Sequence, residues 1–183
     1  MSAHPPFGGI LALDLSSIVG YAYGPIEWAR PISGRWLLKV KGELEADRYC
    51  RVGRTAYEEI ARLRPAKVIL EAPLPVFAMN SESSARQQYG LRGCVMAEVS
   101  AHGMNPEEIS ADLVRAALLG RTHFPKGTVK GHVMAWARAQ GLNPIDDNEA
   151  DAIALWAYYA GQLRRGMGLT PAMLMRPEQA GLL

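Results

Sequence analysis

The chain has 183 residues, 49% of them hydrophobic and 21% charged, with a formal net charge of +2. These values suit a single globular domain with a sizeable core and exclude a disordered chain. No apolar run approaches the ~20 residues of a membrane helix, and a charge this small says nothing by itself about partners.

The first residues, Met1 to Phe7, lack the basic and apolar regions of a signal peptide, so a cytoplasmic protein is expected. Cys50 and Cys94 have neither CxxC nor zinc-ligand spacing. They are expected as small core residues in a reducing compartment.

Ile10 to Leu13 is a short apolar run ending on Asp14; a polar turn follows, then a second run from Gly20. Two such runs predict a β-hairpin. An acid at the end of a buried strand is costly unless it is paired or holds a metal. The plainer reading makes Asp14 a hairpin turn residue. Residues 34–40 predict a third strand. Residues 44–63 carry Tyr49, Val52, Ala56, Ile60 and Leu63 near helical spacing, and Pro65 closes that helix. Val68-Ile-Leu-Glu71 is another buried strand ending on an acid. A strand, a helix and a strand in this order predict a crossover and a parallel pair.

Residues 80–102 predict a long helix with Gly90 and Gly93 inside it, each costing roughly 1 kcal/mol relative to alanine. Packing of this helix on the sheet is the expected cause. Residues 107–110 predict a short strand, and 112–119 a helix ending at Gly120. Residues 121–127 form a polar loop. Thr128 is placed to cap the next helix, which stops near Gly141. A last helix is predicted from about Asp147 to Arg164, with a loose tail from about 166. There is no internal repeat and no interdomain linker, so residues 1–183 are expected to form one domain.

The charges are unevenly spread. Asp146, Asp147, Glu149 and Asp151 crowd one place, whereas the charged residues between Leu113 and Pro144 are all basic: Arg115, Arg121, Lys126, Lys130 and Arg138. An acidic cluster beside a basic stretch suits a metal site next to a polyanion; a solvated helix face is the plainer alternative. Asp14, Glu71 and Asp151 lie at two strand ends and a helix start, which can converge on one sheet edge. Carboxylates held together repel, and Mg2+ or Mn2+ relieves that repulsion. Two such ions about 4 Å apart can activate a water and stabilise the leaving oxygen of a phosphodiester. Asn148 as N-cap, with acids favouring the helix dipole, accounts for Asp147, Asn148 and Glu149 without catalysis. It does not account for Asp151, followed by the apolar Ala152 to Leu155. Positions 147 and 148 share a helix face with 151, and 149 points away. Asp147 or Asn148 is therefore the candidate fourth ligand.

In order and spacing these motifs resemble the RuvC-type Holliday junction resolvases of the ribonuclease-H-like superfamily, particularly their phage or prophage branch. The resemblance runs from about Ile10 to Tyr159. Ile10-Leu-Ala-Leu-Asp14 with Gly20-Tyr-Ala is similar to the first hairpin and first catalytic Asp. Val68-Ile-Leu-Glu71 is similar to the strand with the catalytic Glu. Phe77 to Asn80, Ser84-Ala85 and Arg92-Gly93 resemble a junction-facing segment and its helix. Arg115 resembles a basic DNA contact, Lys126-Gly-Thr-Val129 the loop bearing a lysine near the scissile phosphate, and Asn148-Glu-Ala-Asp151 the final catalytic helix.

The resemblance implies an α/β fold with a mixed five-stranded sheet, an antiparallel hairpin plus parallel strands, flanked by helices. It implies an Mg2+-dependent endonuclease with two ions, Mn2+ able to substitute, acting on four-way DNA junctions in a bacterial or phage-infected cell. Asp14, Glu71, Asp151 and either Asn148 or Asp147 would hold the ions, and Lys126 would stabilise charge on the phosphate. Phe77, Asn80, Ser84, Arg86, Arg115, Arg121, Lys126 and Lys130 would contact DNA. Two symmetric nicks imply a homodimer, with the 80–102 helix as the expected interface.

The chain departs from the family's pattern in places. The family places Asp or His where Asn148 stands. The gap from Glu71 to Phe77 carries extra residues, so Phe77 is either a junction wedge or a core aromatic. Lys130 is positioned to replace or assist Lys126. Rival readings are a flap, branched-DNA or RNA-processing nuclease, or a non-catalytic junction-binding protein. A sugar-kinase or actin-like ATPase also begins with an Asp-bearing hairpin, but this chain is short for it and lacks a second glycine loop.

Overall fold

The computed structural model describes residues 8–16, 18–38, 40–75, 81–125 and 127–168. Ten elements follow in order: β1 (Ile10–Asp14), β2 (Ile18–Gly24), β3 (Ile32–Leu37), α1 (Glu45–Leu63), β4 (Lys67–Glu71), α2 (Glu82–Ala101), β5 (Glu107–Ile109), α3 (Ala111–Leu119), α4 (Val129–Ala139) and α5 (Asp147–Met167). The strands form one sheet in the order β3-β2-β1-β4-β5. β1, β2 and β3 pair antiparallel, whereas β1–β4 and β4–β5 are parallel. The predicted hairpin and crossover are both present.

β1 is buried on both faces because helices cover both. Leu11 and Leu13 join α1 and α2 in one core, with Val52, Ile60, Leu91, Val95 and Val99. Ile10 and Ala12 face the other way, into a core with Val114 of α3, Val133 of α4, and Ile153, Leu155 and Trp156 of α5. The α1 stripe Val52, Ala56, Ile60 and Leu63 has the predicted helical spacing. Each fully buried aliphatic side chain stabilises the fold by roughly 1.5–3 kcal/mol. α1 stops where Arg64 takes a left-handed conformation ahead of Pro65.

Several local expectations are corrected. β3 begins at Ile32 rather than 34 and ends at Leu37, because the hairpin register runs from Ile32–Tyr23 to Leu37–Ile18. Val40 instead lies in the turn before α1, where its N–H donates to the Glu43 carboxylate. The tight spot at Gly90 is between helices, not against the sheet: a Cβ there would lie 2.3 Å from the Tyr49 ring of α1. A Cβ at Gly93 would meet nothing. The Thr128 hydroxyl does not cap α4 but donates to the Pro125 carbonyl. Asp146, not Asn148, caps α5 by accepting from the Glu149 N–H. α5 continues through Gly166 to Met167, so the expected tail falls on residues 169–183, outside the described residues. Cys94 is half-buried against the core of α1 and α2, as expected, whereas Cys50 is exposed rather than a core residue. Among the described residues no helix is long and apolar enough to cross a membrane.

Candidate active site

Parallel pairing of β1 with β4 brings the first two acids together. Leu13 is in register with Leu70, so Asp14 and Glu71 follow side by side on strands ~4.8 Å apart. Strand alternation gives them a common face. Ile10 and Ala12 lie in the α3–α5 core, as does Ile69, and Asp14 and Glu71 share their parity. α5 packs across β1 and β2 on that face. Its first turn approaches β2 at Gly20, where a Cβ would fall 1.9 Å from the Asn148 carbonyl oxygen. Asp151, half-buried among the buried Ala150, Ala152 and Ile153, thus comes to the same sheet edge.

The three carboxyl groups repel one another in a poorly solvated place. Burial pushes Asp14 well above the usual carboxylate range, and the charges of Glu71, Asp151 and Asp147 push it further, against Lys130. Burial and then Asp151 raise Glu71 to about 7, opposed by Arg115 and Arg92. Burial raises Asp151 to about 6, opposed by Arg115 and Lys130 and reinforced by Asp147. Asp147 behaves differently: burial would raise it, but the Lys130 hydrogen bond, a backbone hydrogen bond and the Lys130 charge together lower it. The site is short of positive charge.

This donor set fits a hard divalent cation, since every candidate ligand atom is oxygen. Among the described residues, no three Asp, Glu, His or Cys side chains close on a single point as placed. Pairs of carboxylates, with water and phosphate oxygens completing the shell, are the usual provision for Mg2+.

Other predicted residues fall into groups. Arg115 lines a cleft with Glu71, Asp151, Leu118, Val133 and Trp136, so it stands beside the acids. Lys130 makes an ion pair with Asp147. Asn148 turns toward the hairpin, its Oδ1 3.2 Å from the Ser16 hydroxyl. Glu149 points away, as expected, but it is buried and accepts hydrogen bonds from Ser33 Oγ and the Ile145 N–H. At the start of α2, Ser84 donates its N–H to Ser81 Oγ, and Arg86 lies 3.5 Å from Glu45. Arg121 stacks over Phe124, whose ring packs on His132. Phe77, Asn80 and Lys126 lie outside the described residues.

Gly20, expected only as part of the first hairpin, and Arg92, expected in a junction-facing helix, bear on the site in other ways. Gly20 admits the α5 backbone. Arg92 of α2 is buried, donating to the Glu71 carbonyl oxygen at 2.6 Å and to the Glu108 carboxylate at 2.5 Å. An arginine next to Leu91 on the core-facing stripe of a helix was the available signal, since a guanidinium is buried only when paired.

A 3-2-1-4-5 mixed sheet flanked by helices is the ribonuclease-H-like fold class; in this chain its first and fourth strands end on acids, and a third acid lies on α5. Within that class the chain has the fold of the RuvC resolvases. It superposes on Thermus thermophilus RuvC with TM-score 0.70 at 22% identity, over 86% of this chain and 96% of that one. T. thermophilus RuvC in complex with Holliday junction substrate matches with TM-score 0.69 at 19% identity, over 88% and 97% of the two chains. The yeast mitochondrial Holliday junction resolvase Ydc2 matches with TM-score 0.60 at 13% identity, over 90% and 83%. No family model and no curated protein sequence matches the chain.

Proposed function

We propose that this chain is a divalent-metal-dependent endonuclease that resolves four-way DNA junctions as a homodimer. The observation that carries the reading is the meeting of Asp14, Glu71 and Asp151 at one edge of this sheet, each pushed toward its neutral form by burial and by its neighbours. Solved structures of the same fold include one in complex with Holliday junction substrate.

In this reading Asp14, Glu71 and Asp151 hold two Mg2+ ions, with Mn2+ able to substitute and Asn148 or Asp147 as a further ligand. The ions, when bound, supply activation of the attacking water and neutralise charge on the departing oxygen. The protein's own groups do the rest. Arg115, beside Glu71 and Asp151, offers a fixed positive charge to a phosphate oxygen. Lys126 stabilises charge on the transferred phosphate. Ser84, Arg86, Arg121 and Lys130 contact the DNA backbone, and Phe77 and Asn80 face the junction centre. Backbone contacts of this kind make affinity fall steeply with salt and carry little base reading. α2 supplies the dimer surface.

Nicking of a synthetic mobile four-way junction, with Mg2+ and then Mn2+, tests the reading in wild type and Asp14→Asn. Paired symmetric nicks that vanish in the variant are expected. Junction binding with no nicks in either metal overturns the catalytic reading and leaves a junction-binding protein. Cleavage of flaps or single strands alone keeps the chemistry and moves the substrate.

A further inference from the structure

We propose that Asp147, not Asn148, completes the acidic set, and that Lys130 holds it as a built-in cation which an incoming divalent ion must displace. The inference rests on the metal-dependent reading above and deepens it.

Asn148 is committed elsewhere. Its backbone carbonyl seats on Gly20, and its side-chain oxygen lies 3.2 Å from the Ser16 hydroxyl, between β1 and β2. Ser16 is itself tied locally, its hydroxyl 2.6 Å from the Ile18 carbonyl oxygen. The Asn148 side-chain oxygen is thus engaged by Ser16, two residues beyond Asp14, rather than left open.

Asp147 stands four residues before Asp151 and shares its helix face. Its charge acts on both Asp14 and Asp151, which puts it within electrostatic reach of the site. Its only hydrogen-bonding side-chain partner among the described residues is Lys130. Among the described residues, none donates a hydrogen bond to the carboxylates of Asp14, Glu71 or Asp151.

Lys130 is suited to leave. Its side chain is 67% exposed, and that of Asp147 29%, so the ammonium can pass to water with little loss. It reaches across from α4, which packs against α5. A lysine brings one positive charge and no coordination bonds. A divalent ion brings two charges and can bind several carboxylate oxygens at once. The lysine therefore partly neutralises the metal-free site and raises the ion concentration needed to fill it. Once displaced, it is free to pair with a phosphate oxygen.

The test is Mn2+ binding to the full chain by calorimetry, without DNA, at fixed pH and low salt. Lys130→Met should tighten binding about 2- to 5-fold, the size of a half-exposed ion pair. Asp147→Asn should weaken it about 10-fold, as a lost charged ligand does, whereas Asn148→Ala should leave it within about twofold. In the double variant Lys130→Met with Asp147→Asn, the tightening should disappear. Thermal melts show which variants fold; if Asp147→Asn does not, Lys130→Met and Asn148→Ala still decide. Binding weakened more by Asn148→Ala than by Asp147→Asn overturns the assignment of Asp147. Unchanged or weaker binding in Lys130→Met overturns the displacement. A chain that gives the expected ranking yet never nicks a junction loses only the nuclease reading, whereas one that nicks with an unaltered Lys130→Met isotherm loses only this inference.

Discussion

Gly20 lies directly across the hairpin from Asp14 and also carries the backbone of Asn148, so one glycine holds the helix of Asp147 and Asp151 over the end of β1. Asp14 and Gly20 are the last register pair of β1 and β2. The contact is backbone to backbone: an added Cβ would fall 2.3 Å from the Asn148 carbonyl carbon and 2.8 Å from the Glu149 nitrogen.

Gly20→Ala should therefore push the first turn of α5 off the sheet. Overpacking of this sort costs about 1–3 kcal/mol. Stability in urea is expected to drop by that amount, and nicking at saturating junction to drop by ~10-fold or more, since a 1 Å misplacement of reacting groups can cost ~100-fold. Junction affinity should hold. A variant with wild-type nicking and stability would show that the helix does not need this approach.

Asp14→Asn, Glu71→Gln and Asp151→Asn should each remove nicking by at least ~100-fold while leaving junction binding in a gel shift intact. Each also removes one member of a repelling set, so each variant should melt higher than wild type in EDTA. Loss of junction binding together with nicking would place these acids in folding rather than chemistry.

The metal-free protein should lose stability as pH rises from 5 to 8. Glu71 titrates at about 7 against an ordinary 4.5, and Asp151 at about 6 against 3.8. A carboxyl raised in the folded state binds more protons there than in the unfolded chain, so stability falls with pH between the two values. For Glu71 alone the effect is on the order of 3 kcal/mol. Thermal melts in EDTA should fall across this window. Added Mg2+ should restore more at pH 8 than at pH 5, where the carboxyls are largely protonated. A flat profile in EDTA would mean that the acids are not packed against one another in solution.

Arg92 clamps the end of β4 by its bond to the Glu71 carbonyl oxygen and holds β5 through Glu108. Arg92→Met should leave that carbonyl unsatisfied, costing about 1–3 kcal/mol. Nicking should fall with little change in junction affinity, since Glu71 rather than the DNA contacts would be displaced. Arg92→Lys should recover only part of the loss, because an ammonium lacks the guanidinium fork that spans both partners. Full recovery by lysine would reduce Arg92 to a point charge.

Most of the secondary structure was legible because it rests on local patterns. Val52, Ala56, Ile60 and Leu63 mark α1 at helical spacing, and the runs ending at Asp14 and Glu71 are short and bounded by turn residues. Where the reading slipped, a partner distant in sequence decided the outcome. Register with β2 places Ile32 in β3, and Tyr49 of another helix explains Gly90. Asp146 and Asn148 are both good cap residues, and local sequence does not choose between them; the ion pair of Asp146 with Arg35 and the seat of Asn148 on Gly20 do.

By itself the sequence determined that two strands end on acids, that a third acid enters the core side of a late helix, and that a basic stretch precedes it. Those are properties of period, length and residue type, which act over a few neighbours. Only the tertiary structure decided that the three acids meet, because their meeting depends on the parallel β1–β4 register and on α5 settling against Gly20. It alone also turned the Asn148 side chain toward Ser16 and set its neighbour Asp147 beside Lys130. One step along a helix turns a side chain by about 100°, and which way the helix is turned is set by what it packs on.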